Sequence, residues 1–118
     1  MELNEKDTNV LRRILISRAA NRQTIDYKTL ADELGFTPPN TIQKTTILLE
    51  ACQEDDALLN QPQLAAVVVQ KRGEPYPRPG FFQQLKRLGV YAGSDSGSQA
   101  QMWHQNELEK VFQFYSDA

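Results

Sequence analysis

The stretch Asn60-Gln61-Pro62-Gln63-Leu64-Ala65-Ala66-Val67-Val68-Val69 decides the fold class. Before residue 52 the apolar positions recur at three- and four-residue spacing, the signature of helices with one buried face. Here the spacing gives way to an unbroken apolar run that ends in three β-branched valines. Such a run predicts a strand buried on both faces. It falls far short of the roughly 20 apolar residues a membrane span needs. Helical spacing resumes at residue 106. The expected class is therefore α+β, with three N-terminal helices, a small sheet around residues 64–69 and a C-terminal helix.

Working back from the run, Asp7 or Thr8 can cap a first helix with an apolar stripe at Val10, Leu11, Ile14, Leu15 and Ala19. Arg12, Arg13, Arg18 and Arg22 are expected on its solvated side, and the helix ends near Asn21. Gln23-Thr24-Ile25 favours an extended backbone. Asp26 then caps a second helix over 27–34, with Gly35 as the left-handed residue that follows. The turn Phe36-Thr37-Pro38-Pro39-Asn40 hands over to a third helix over 41–52, with Asn40 or Thr41 as its cap. Its core face is Ile42, Thr45, Leu48, Leu49 and Cys52. Glu54-Asp55-Asp56 follows as a carboxylate run expected to lie in a solvated loop, because negative charge disfavours a helix C-terminus.

Beyond the run, Pro75, Pro77 and Pro79 predict a long stiff loop over 71–80. Phe81 and Phe82 anchor its far end, and a short helix over 83–88 stops at Gly89. Gly93-Ser94-Asp95-Ser96-Gly97-Ser98 is flexible by composition. The last helix is expected over 106–115, with Leu108, Val111, Phe112 and Tyr115 on one face and Glu107 and Glu109 on its polar side.

The 118 residues suit a single domain, residues 1–118, with one hydrophobic core. Chemistry is sparsely supplied. Cys52 is the sole cysteine and His104 the sole histidine, so neither a disulfide framework nor a His/Cys zinc cage can form. Cys52 sits beside Leu48 and Leu49, the setting of a buried inert thiol. The Gly93–Gly97 tract lacks the lysine and following helix of a phosphate loop. These features predict a non-enzymatic protein without a cofactor or metal. The opening Met1-Glu2-Leu3-Asn4-Glu5 is polar and acidic, not a leader, so the expected location is cytoplasmic, away from membranes.

From Ile25 to Phe82 the chain resembles the winged-helix domain of alkyltransferase-like DNA-repair proteins. The resemblance rests on the opening Ile25-Asp26-Tyr27-Lys28-Thr29-Leu30-Ala31, a second helix after a proline-rich turn, and Pro62 ahead of the valines. It implies a small winged-helix-like domain. That family carries a Pro-Cys-His-Arg or related tetrad, where this chain has Pro62-Gln63-Leu64-Ala65. Its non-catalytic relatives insert an arginine from the recognition helix, and no arginine lies between Arg22 and Arg72 here. The resemblance therefore implies a fold without alkyl transfer.

Charge separates two functional expectations. The net charge is -2. Between residues 29 and 70 Lys44 is the only cation among six carboxylates. Glu50, Glu54, Asp55 and Asp56 would face a basic partner, with Tyr76, Tyr91 and Trp103 as aromatic anchors. This predicts a protein-binding module, such as an immunity or inhibitor protein occluding the basic cleft of a toxin or nuclease. The alternative is nucleic-acid binding. The third helix would read a groove through Gln43, Lys44 and Thr46, and Lys71, Arg72, Arg78, Lys86 and Arg87 would neutralise phosphates.

Overall fold

The computed structural model describes residues 5–71 and 76–116. Five helices dominate it: α1 Glu5–Ala20, α2 Tyr27–Glu33, α3 Thr41–Leu58, α4 Pro79–Arg87 and α5 Gly97–Ser116. One small sheet joins them. Its strands, β1 Ile25–Asp26 and β2 Val68–Val69, pair in parallel with Ile25 opposite Val68 and Asp26 opposite Val69.

Local signals set most helix ends where the sequence places them. Asp26 accepts the Thr29 backbone N–H at 2.8 Å and the Thr29 hydroxyl at 2.9 Å, which starts α2 directly after β1 ends. The Thr29 N–H bond holds the Asp26 carboxyl below the usual aspartate range. Gly35 at φ 78° and Gly89 at φ 74° take the left-handed conformation just past α2 and α4. Asn40 precedes α3 in that same conformation, but its side chain makes no capping bond.

Three helices outrun their expected ends. α4 starts at Pro79, four residues early, so Pro79 and Gly80 open this helix and do not belong to the loop; proline suits a first helical position. α3 passes through Glu54, Asp55 and Asp56 to Leu58, so this run is helical and not a solvated loop. Burial on the inner side outweighs the dipole cost: Thr45, Leu48, Leu49, Cys52, Gln53 and Asp56 are all buried at helical spacing. α5 begins at Gly97, nine residues before the expected start, and buries Ala100 and His104 in its added turns. The serine- and glycine-rich tract is consequently a lead-in to this helix rather than a free linker.

The run at 64–69 is the centre of the core, though only its end is a strand. Leu64–Val67 forms a 3-10 turn against which α1, α3 and α5 pack, and β2 follows it. Leu64, Ala66 and Val67 are wholly inaccessible. A continuous apolar run identifies burial on all sides, which a turn satisfies as well as a strand provided its backbone polar groups find partners. They do. Glu107 accepts the Gln63 N–H at 2.8 Å, Asp56 accepts the Leu64 N–H at 3.0 Å, and His104 donates Nε2–H to the Ala66 carbonyl at 2.7 Å. Carboxylates and a histidine from α3 and α5 replace the ladder that neighbouring strands would supply.

Candidate binding face on α3 and the adjoining cleft

An 18-residue helix packed along one side presents the other to solvent. On α3 the outer positions include Ile47, Glu50, Ala51, Glu54, Asp55 and Leu58. Glu54 and Asp55 are exposed, while Glu50 is half-buried. None of these three carboxylates belongs to an ion pair among the described residues. Beside them, Leu58 is 77% exposed and Leu59 65%. Spacings of three and four residues bring Glu54 and Asp55 to the same side as these leucines. The result is an acidic and apolar tip with free charges. Met102 and Phe114 are also exposed, but three helical turns of α5, about 18 Å, separate them.

Asp56 does not join this surface, which corrects its expected role. Its side chain is fully buried. Oδ1 accepts from Arg12 Nη2 at 3.1 Å while Oδ2 accepts the Leu64 N–H, tying α1, α3 and the central turn together. Desolvation raises the Asp56 carboxyl above the usual aspartate range, partly opposed by the Leu64 N–H and Arg12. Arg12 is accordingly no solvated cation. Its Nη1 also approaches Cys52 Sγ at 3.2 Å. Burial, followed by the charge of Asp56, pushes the Cys52 thiol up to about 12, so it remains protonated and unreactive at neutral pH. His104 lies instead against Ala66, and desolvation lowers its pKa below 6.5.

The aromatic anchors are likewise corrected. Tyr76 and Tyr91 are buried, and Trp103 is half-buried. Tyr76, Tyr91 and Trp103 surround Phe82 with ring centroids 6.0, 5.5 and 6.3 Å away. The Tyr91 hydroxyl donates to the Ser94 carbonyl at 2.8 Å, and the Tyr76 hydroxyl accepts the Gly97 N–H at 3.0 Å. Their apolar bodies fill the core while their hydroxyls serve loop backbone. Glu107 is also buried, off the polar side expected for it, whereas Glu109 is exposed and paired with Arg22.

Most of the described basic residues have local partners. Lys86 pairs with Asp95, and Arg87 Nε donates to Gln84 at 2.9 Å. Lys71 is exposed near Asp26, and the Arg78 guanidinium stands 5.6 Å from the centre of the Tyr27 ring. Arg72 lies outside the described residues, as does part of the proline loop. On α3, Gln43 is exposed and Lys44 half-buried, while the Thr46 hydroxyl donates to the Ile42 carbonyl at 2.9 Å.

A cleft of about 330 Å³ lies where α3 meets α2 and the start of α4. Leu49, Ala65, Pro79 and Phe81 give it apolar surface, with Thr46, Glu50 and Gln53 on its α3 wall and Tyr27 and Arg78 also lining it. Sequence reasoning missed this cleft together with Leu58 and Leu59. The signal was the spacing of 46, 49, 50 and 53, which reads as one helix face once α3 is extended past residue 52. Among the described residues no cluster of His, Cys, Asp and Glu is arranged to hold a metal, and no helix is long and apolar enough to cross a membrane. The chain matches no known protein family, no curated protein and no solved structure.

Proposed function

We propose that this chain is a non-enzymatic, cytoplasmic protein-binding module that occludes a basic partner through the outer side of α3. The observation that carries the reading is the juxtaposition of free Glu54 and Asp55 with exposed Leu58 and Leu59. Covering a leucine side chain is worth about 1.5–3 kcal/mol, and uncompensated carboxylates steer a positively charged partner into place. A toxin or nuclease with a basic substrate cleft fits this chemistry. For the architecture we read the order β1–α2–α3–β2 as winged-helix-like, as the resemblance to alkyltransferase-like proteins implies. The packing of α2 on α3 and the pairing of β1 with β2 support that reading.

Nucleic-acid binding is the weaker reading, since Lys86 and Arg87 are engaged locally and α3 carries unpaired acidic charge. Affinity capture with wild type beside E54K/D55K, followed by association kinetics on the captured protein, tests the choice. Wild type should recover a basic protein that the variant loses, with association slowed about tenfold or more and less sensitive to salt. Equal recovery by both baits would reject the α3 interface. Recovery of nuclease-sensitive DNA or RNA, with a salt slope reduced by neutralising Lys71, Arg72 and Arg78, would favour the alternative.

A further inference from the structure

The cleft beside α3 is selective in its hydrogen-bonding character. Thr46, Glu50 and Gln53 follow one another along one face of the helix, and each offers an acceptor. The Thr46 hydroxyl hydrogen is committed to the Ile42 carbonyl, leaving lone pairs. Gln53 is 2% exposed and gives its amide Nε2 to the Phe81 carbonyl at 3.0 Å. Its Oε1 therefore remains on the cleft wall with no protein donor among the described residues. Glu50 adds a carboxylate without an ion pair. Thr46 and Glu50 are half-buried, so this acceptor set takes its donors from solvent or from an entering group. Below it, Leu49, Ala65 and Phe81 form an apolar floor that suits a hydrocarbon stem.

We propose that this cleft receives a basic side chain, lysine or arginine, from the protein partner, whose N–H groups bind Glu50, Gln53 Oε1 and Thr46 Oγ1. The assignment rests on the protein-binding reading and adds what the partner inserts. Glu50 lies one turn before Glu54, so the cleft continues the acidic side of α3. Arg78 is the opposing charge. Its guanidinium is held over the Tyr27 ring, leaving the α3 wall for an entering cation.

The test needs no partner. Isotope-labelled protein is titrated with Nα-acetyl-lysine methylamide, its arginine counterpart and the uncharged norleucine analogue, following the Gln53 side-chain amide and the Gly80 and Phe81 backbone amides by NMR. The basic compounds should shift these signals and bind about tenfold tighter than norleucine. E50Q should erase that preference, while R78A should tighten the basic probes by relieving repulsion. Norleucine binding as well as lysine, undiminished binding to E50Q, or silence at the cleft would overturn the proposal. A free diamine binding more tightly than both capped amino acids would assign the cleft to a soluble amine and overturn the partner assignment. Probe binding is measured on the wild-type chain without a partner, and partner capture on E54K/D55K without a probe. Failure of the α3 interface and failure of the cleft are thus read separately.

Discussion

Arg12 and Asp56 meet at 3.1 Å across 44 residues of chain, with the Asp56 side chain shut off from solvent and Arg12 partly open to it. The pair clips α1 to α3, and the second Asp56 oxygen clips α3 to the turn at Leu64. One carboxylate thereby holds three parts of the core.

Asp56→Asn should cost about 2–3 kcal/mol, read by urea unfolding at neutral pH, because an amide group replaces one acceptor with a donor facing a donor. The pH dependence has a definite sign. The folded carboxyl holds its proton above the ordinary aspartate value near 3.8, so the folded state binds more protons across that window. The Asp56 contribution therefore falls as pH rises through the raised pKa. The stability gap between wild type and D56N should narrow with rising pH there, and a widening gap would contradict the assignment.

His104 works in the opposite direction. Its folded pKa lies below 6.5, so the unfolded chain binds the extra proton first. Stability should decline as pH falls below that value, and His104→Gln, which can still donate to the Ala66 carbonyl, should remove the decline. His104→Ala leaves the carbonyl unpaired beside a cavity and should cost about 2–4 kcal/mol. Denaturant midpoints across the acid range distinguish the two variants.

Cys52 should resist thiol reagents in the native protein at neutral pH. With the thiol pushed up to about 12 and the residue 3% exposed, modification requires opening of the structure. Labelling followed by mass spectrometry should show slow reaction that accelerates steeply across the urea transition. Rapid stoichiometric labelling without denaturant would place Cys52 at an accessible site.

Leu58 and Leu59 should be dispensable for folding. Replacing both by serine removes exposed apolar surface, so thermal stability should change by no more than about 0.5 kcal/mol, while affinity for a protein captured by wild type should drop. A large loss of stability would mean that the leucines support the fold, and unchanged affinity would remove them from the interface.

Several element boundaries were legible in the amino-acid sequence. Asp26 capping α2, Gly35 and Gly89 beyond their helices, and the buried face of Cys52 were legible because caps and left-handed residues act within about a turn of chain. The sequence also located the core at residues 64–69, since an unbroken apolar run must be buried wherever it falls. The outer side of α3 was legible only in part: Glu50, Glu54 and Asp55 were readable as charge, whereas Asp56, an adjacent residue of the same kind, belongs to the core. Long-range packing made Leu64–Val67 a turn, carried α3 on to Leu58, and seated Tyr76 and Tyr91 on Phe82. These outcomes depend on partners distant in sequence, such as Glu107 on the Gln63 N–H across 44 residues. A buried backbone group must find a hydrogen bond, but nothing local to residues 63–66 says whether a neighbouring strand or a side chain from another helix will supply it.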